Sequence, residues 1–252
     1  MNGESMKILS SGNVMKKSEI DVVYVFKDSK SDELKYSIRS VAKNWPHRKI
    51  WIVGDKPDWI SEEVGYIKVF GTYSGRYRDV NNKLKVACKN DLISDPFWLF
   101  NDDFFVMKPV DVDNYKTTYD GTLEDKYNRL KVKYSMLDTW TYLEGFAFAQ
   151  KVLKMNHCPS RKNFENHVPM LMDKQKLSLV VRTFPYAVCR RSIYMNLYYP
   201  NDGVPGKDVK RYNNDDMVKM EDILLSTNDT SFKGNVGDYI KKKFKEKSRY
   251  ER

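Results

Sequence analysis

Phe97-Trp98-Leu99-Phe100-Asn101-Asp102-Asp103-Phe104-Phe105 is the stretch on which the fold turns. Four apolar residues in a row suit a buried strand, and the run stops abruptly at an amide and two carboxylates. Adjacent carboxylates repel one another, so holding them between bulky apolar flanks calls for a compensating cation. A hard divalent ion bridging two phosphates is one answer, because magnesium and manganese take carboxylate and phosphate oxygens. A plain acidic turn is the other, since Asn and Asp commonly end strands.

Working outward, Ile20–Phe26 is a β-branched and aromatic run that ends in the polar loop Lys27-Asp28-Ser29-Lys30-Ser31-Asp32. It reads as a buried first strand. Leu34, Ile38 and Val41 then repeat at helical spacing over Glu33–Asn44, with Ser31 or Asp32 able to cap the start. Lys49–Val53 is a second strand, stopped by Gly54-Asp55-Lys56-Pro57, and Tyr66–Phe70 a short third. Asn82–Lys89 reads as a helix with Leu84 and Cys88 on one face. Strand, helix, strand, strand, helix, strand is the alternation of an α/β domain with a mostly parallel, Rossmann-like sheet. Ligands of such sheets sit at the C-terminal strand ends, where both polar loops lie.

The second half is less regular. Asp111–Lys133 is polar and reads as loop-rich, and Gly145–Ala149 as a strand returning to the sheet. Asn163–Lys176 reads as helical with an interruption at Pro169. Ile193–Tyr199 is another apolar-aromatic segment, and Asn201–Asp208 a Pro/Gly-rich loop. Val236–Lys247 has the pattern of a basic amphipathic helix with Val236, Tyr239, Ile240 and Phe244 inward. No internal repeat or linker interrupts this order, so residues 20–252 are expected to form a single domain.

Composition narrows the function classes. Of 252 residues, 41% are hydrophobic and 13% aromatic, enough for a sizeable core and too many for a disordered tail. No uncharged apolar run approaches the roughly 18–20 residues needed to span a bilayer. The first 14 residues lack the apolar core of a signal peptide, and the stretch before Met6 reads as upstream of a second start, so a cytoplasmic location is expected. Cys88, Cys158 and Cys189 have no metal-ligand spacing and read as reduced thiols. Lys and Arg total 44 against 34 Asp and Glu, a net charge of +10 that favours polyanionic partners. Part of that excess is a basic run over Lys241–Arg252, which serves equally as a solvated helix face.

Arg76, Arg78, Asn81, Asn82 and Lys83 cluster just before the acidic strand, and Arg190-Arg191 follows what reads as another strand. Guanidinium groups take phosphate bidentately, though each arginine alone is equally a solvated surface residue. His167, within Asn163–Pro169, has the chemistry of a metal ligand, an acid/base or a structural histidine.

Several of these blocks, in order, resemble the Stealth-type sugar transferases and the related glycosyltransferases of bacteriophages. Ile20–Val25 is similar to the family's first block, and Glu33–Val41 with Lys49–Asp55 and Pro57-Asp58-Trp59 to the start of the second. Trp98–Phe105 matches its end. His167-Val168-Pro169, with Arg190-Arg191 and Tyr198-Tyr199 downstream, represents the third block, and Thr227-Asn228-Asp229 with Phe244–Glu251 the fourth. The sequence departs from the Stealth pattern at Phe26-Lys27-Asp28-Ser29, where Trp-Val-Asp-Gly is expected. Its Arg78–Leu84 block looks more like the phage-type relatives.

The resemblance implies a type A glycosyltransferase-like fold, with a nucleotide-sugar-binding half over residues 20–110. A loop-rich acceptor half with a basic C-terminal helix follows over 111–252. It implies a divalent metal, Mn or Mg, held by Asp103 and His167, and a nucleotide sugar, most simply a UDP-sugar, as donor. Asp102, His167 and Arg191 take the catalytic roles, Arg191 by neutralising the departing phosphate. Tyr24, Phe26, Arg78, Asn82, Lys83, Asp102, Arg190, Arg191, Asn228 and Asp229 are the donor-binding candidates. The phage-type block and the +10 charge favour DNA carrying hydroxymethylated bases as acceptor, in a host cytoplasm. The other readings are sugar or sugar-1-phosphate transfer to a polysaccharide or teichoic-type acceptor, and a non-enzymatic basic domain that binds nucleic acid.

Overall fold

Asp21–Phe26 (β1) is buried almost throughout and has parallel neighbours on both sides. Val22 pairs with Ile50 on Ile50–Gly54 (β2) and with Trp98 on Phe97–Phe100 (β4). Gly65–Lys68 (β3) adds to β2 in parallel, and Met170–Met172 (β7) closes the far edge antiparallel to β4. The strand order is therefore β3-β2-β1-β4-β7, an α/β sheet with four parallel strands. These relations come from a computed structural model that describes residues 9–10, 13–14, 16–28, 30–71, 75–133 and 140–252. Ser29 of the first polar loop and the stretch around Met6 lie outside the described residues.

Alternation along β1 sends its side chains into two cores. On one face Val22, Tyr24 and Phe26 pack with Trp98 and Phe100 under Glu33–Asn44 (α1), whose Leu34, Ile38 and Val41 point down as their spacing predicts. Trp45 sits edge-on to both Trp98 and Phe100, at 5.1 and 5.2 Å between ring centroids. Such pairs add about 0.5–1.5 kcal/mol each beyond burial. On the other face Val23, Trp51, Val53 and Leu99 pack against Arg76–Lys89 (α2), Trp140–Met155 (α4), Lys174–Thr183 (α5) and Arg190–Tyr198 (α6).

The first half follows its sequence pattern, and α2 begins six residues earlier than its periodicity suggests. Three expectations in this part of the chain are corrected. Gly145–Ala149 is the middle of helix α4, with Phe146, Ala149 and Leu153 fully buried at helical spacing. A five-residue apolar run carries no period of its own, so flanking residues decided it. Gly145 is required there, because a Cβ would stand 2.4 Å from Val188 Cβ. Asp111–Lys133 contains a strand, Thr118–Tyr119 (β6), and a helix, Leu123–Lys133 (α3). Asn163–Pro169 is an irregular segment rather than a helix; β7 follows, and α5 starts only where Asp173 accepts from the Lys176 N–H at 2.8 Å. Ile193–Tyr198 belongs to α6.

The C-terminal helix Asn235–Lys243 (α8) buries Val236 and Ile240, with Phe244 just beyond it, but Tyr239 is 46% exposed. It lies one residue, hence about 100°, round the axis from Ile240. The three cysteines are free thiols, Cys158 and Cys189 buried and Cys88 half-buried. No helix among the described residues is long and apolar enough to cross a membrane.

Candidate active site

Asp102 and Asp103 sit where the chain leaves the central sheet. β4 ends at Phe100, the Phe104 N–H donates to the Asn101 carbonyl at 3.2 Å, and Phe104–Val106 (β5) then pairs antiparallel with Leu224–Ser226 (β8). The dipeptide is thus anchored by strands on both sides, at the C-terminal end of the parallel sheet.

Four other side chains and one backbone contact surround it. Lys210 Nζ donates to Asp103 Oδ2 at 2.7 Å, while Asp103 Oδ1 is buried and has no partner among the described residues. Glu33, the first residue of α1, is buried; it accepts from Thr227 Oγ1 at 2.5 Å and from Ser31 Oγ at 3.0 Å. Thr227 in turn donates its N–H to the Asp103 carbonyl. Burial, the Asp103 charge and the Glu33 charge together push Asp102 up to about 7. Burial likewise raises Glu33, against the hydrogen bond from Thr227. Three acidic side chains thus gather at this edge, and among the described residues only Asp103 has an ammonium in ion-pair reach.

A second cluster is joined to the first through Asp208-Val209-Lys210. Asp208 accepts from the His167 backbone N–H at 3.2 Å, and its oxygens lie 2.9 and 3.0 Å from His167 Nδ1. Burial alone would raise Asp208, but these contacts outweigh it and hold the carboxyl at about 2. Phe104 walls this cluster, its ring edge-on to His167 and 5.7 Å from the Arg191 guanidinium. Arg191 donates to the carbonyls of Asn166 and Val168, which fixes the segment that carries His167. Burial lowers Arg191 from the usual arginine value, with Glu165 opposing.

On the other side of Asp102 opens a cavity of about 710 Å³, with Lys27, Arg76, Lys83 and Asp79 among its walls. Lys83 is buried on Asp79 at 2.7 Å. Gly54 makes room for it: its φ of +134° is one L side chains rarely adopt, and a Cβ there would stand 1.9 Å from the Phe26 carbonyl oxygen and 3.0 Å from Lys83 Cε.

Among the residues singled out from sequence, Asp102, Asp103 and Lys83 converge on this edge, and His167 and Arg191 form the cluster beside it. Tyr24 and Phe26 point into the core under α1, where Tyr24 Oη meets Ser37 Oγ at 2.9 Å. Arg78 and Asn82 face away from the Asp102 cavity, on the outer side of α2. Arg190 opens α6 instead of following a strand, and its buried Nε has no partner among the described residues. Asn228 caps Asp229–Lys233 (α7) by accepting from the Ser231 N–H, and Asp229 is exposed within electrostatic reach of Glu33.

Glu33, Asp208 and Lys210 escaped sequence reasoning. Glu33 looks like an ordinary helix-start acid, and only a contact 194 residues away gives it a role. Asp208 and Lys210 leave a Pro/Gly-rich loop without any periodic signal. No group of three or more His, Cys, Asp or Glu side chains among the described residues is arranged to hold a metal by itself.

No protein-family model and no curated protein matches the chain. Among solved structures, the glycosyltransferase GlyE of Streptococcus pneumoniae TIGR4 is similar at 10% identity over 78% of this chain and 69% of its own, with a TM-score of 0.31. The apo form of that enzyme gives 12% identity over 78% and 67%, with a TM-score of 0.27. Superpositions this weak say nothing of substrate or chemistry.

Proposed function

We propose that this chain is a nucleotide-sugar-dependent glycosyltransferase that moves a sugar onto a hydroxyl acceptor. The observation that carries the reading is the Asp102-Asp103 pair at the C-terminal edge of a parallel sheet, beside a cavity rimmed by Lys27 and Arg76. Open α/β sheets bind ligands at that edge, and cationic side chains there match a diphosphate.

A divalent metal fits this site. Asp103 Oδ1 is a buried oxygen with no partner among the described residues, and Asp102 and Glu33 stand within electrostatic reach of it with their carboxyls raised. Asp103, with Asp102 beside it, would hold such an ion, the rest of its shell coming from phosphate and water. Once bound, it supplies positive charge to the donor diphosphate.

The chain's own residues do the remaining work. Breaking the anomeric bond leaves charge on the nucleoside diphosphate, so Lys27 and Arg76 stabilise the transition state more than the ground state. Glu33 and Thr227 fix the Asp103 backbone, and Asp102 is set to accept from sugar hydroxyls. His167, with Nδ1 turned to Asp208, is the acceptor-side base, and Asp208 orients its ring. Arg191 positions His167 through the Asn166 and Val168 carbonyls.

For the acceptor we favour DNA bearing hydroxymethylated bases. The net charge of +10 supports a polyanionic partner.

The test is a thermal-shift panel of nucleotide sugars, with and without manganese, on the wild type and Asp103→Ala. A donor at 100 times its Kd stabilises by about 2.7 kcal/mol, or on the order of 5–11 °C for a chain of this size. A metal-dependent rise lost in Asp103→Ala supports the reading, and no shift with any donor or metal would overturn it.

A further inference from the structure

The outer side of α2 has no part in the site described above. Arg78, Asn82, Lys85 and Lys89 recur at steps of four, three and four, which sets them in one stripe along the helix. Across a groove of about 410 Å³, α5 brings Arg182 up to that stripe, and Arg78, Asn82, Lys85 and Arg182 line the groove.

Charge on this pair of helices is one-sided. α2 and α5 carry eight Lys and Arg residues against one carboxylate, Asp79, which is buried on Lys83. Lys174 is taken up by the Asn90 and Ile93 carbonyls, and Lys176 by Tyr199. Arg76, Arg78, Lys85, Lys89 and Arg182 remain. Among the described residues none of these five has a carboxylate within 4.0 Å. Arg78 is held outward by Tyr186, whose ring it covers at 5.1 Å and whose hydroxyl it meets at 2.9 Å. The basic run on and after α8 is partly offset, since Asp238 lies 3.7 Å from Lys241 and Glu246 the same distance from Lys245.

Position adds to charge. The inner face of α2 walls the Asp102 cavity through Arg76, Val80 and Lys83, so the stripe lies one helix width from the donor side. A straight helix of 14 residues is about 21 Å long at 1.5 Å per residue. One strand of a duplex sets about six phosphates along that distance.

We propose that the α2–α5 ridge is the track on which the phosphate backbone of duplex DNA docks. The proposal rests on the glycosyltransferase reading with a DNA acceptor. Arg78 and Arg182 grip phosphates as forks, and Lys85 and Lys89 act as point charges between them. A rigid, straight row of cations suits the regular phosphate spacing of a duplex better than a flexible anionic polymer.

Binding of a short fluorescent duplex across a salt series, followed by anisotropy, tests it. For the triple variant Lys85→Gln/Lys89→Gln/Arg182→Gln the slope of log K against log salt should flatten by about 3, roughly one unit per lost contact. Its affinity at low salt should fall, while its melting temperature and donor hydrolysis stay at wild-type values. Lys242→Gln/Lys245→Gln/Lys247→Gln on and after α8 should leave the slope unchanged. A wild-type slope in the α2–α5 variant, or a loss that follows the α8 variant instead, overturns the proposal. So does ridge-dependent binding of poly(glycerol phosphate) without binding of the duplex. Donor turnover is read separately: its absence in the wild type counts against the transferase, whereas the salt slope judges the ridge alone.

Discussion

Lys210 places its ammonium 2.7 Å from one oxygen of Asp103 and leaves the other buried and unpartnered. Lys210 is therefore a resident counter-ion to one member of an acidic cluster. Replacing it by methionine strands Asp103 beside Asp102 and Glu33. Breaking a largely buried pair costs about 3 kcal/mol or more, a fall in Tm on the order of 6–12 °C. Acid should restore part of the loss by protonating the carboxylates. A Tm deficit that does not shrink between pH 7 and pH 5 would refute this account.

Asp102 gives stability a pH slope of definite sign. Its folded-state value of about 7 stands above the ordinary 3.8, so between those limits the folded protein holds a proton that the unfolded chain has released. Stability contributed here falls as pH rises from about 4 to 7 and stays low above that. Asp102→Asn removes the charge, so in chelator it should melt above the wild type at pH 7.5 and level with it at pH 4. Melting curves at the two pH values check this, and equal Tm at pH 7.5 would count against the buried charge.

Asp208 behaves in the opposite sense. Its folded value of about 2 is depressed, so its contribution is complete above about pH 4 and is lost as pH falls towards 2. Asp208→Asn should flatten that acid limb and slow sugar transfer, on the order of 10²-fold, by releasing the His167 ring. Transfer at wild-type rate would remove His167 from the role of base.

Gly145→Ala tests the packing behind the sheet. The new methyl would meet Val188 Cβ at 2.4 Å, so α4 must move away from the start of α6 at a cost of about 1–3 kcal/mol. Val188→Gly in the same chain, which removes that Cβ as well as both Cγ atoms, should recover most of the loss. Failure of that rescue in a double-mutant cycle would place the strain elsewhere.

Legibility in the sequence divided along physical lines. The strands that end in Phe26, Val53 and Phe100 are short apolar runs closed by polar loops, so their order and the edge they share follow from local pattern alone. Asp102 and Asp103 declared themselves by standing between apolar flanks. Phe146 did not declare its helix, because over these five residues the exposed positions, Ala147 and Phe148, are as apolar as the buried ones and no polar face shows the period. Arg78 and Lys83 look alike in sequence, yet five helical residues turn them to opposite sides of α2. Glu33 acquires its partner only through tertiary folding, which no window of sequence contains.

Contacts that latch α1 span most of the chain: Glu33, in the acidic cluster, to Thr227, and Arg39 on the same helix to Glu251 at 2.7 Å. This has a consequence for how the protein comes into being. When synthesis has reached Asp103, the four parallel strands and the acidic pair have been made, but the edge strand β7, the counter-ion at 210 and the hydroxyl at 227 have not. At about 5–20 residues per second, that interval lasts on the order of ten seconds. During it a nascent chain presents uncompensated carboxylates and an unlatched α1, so binding competence arrives with the final segment rather than growing in proportion to length.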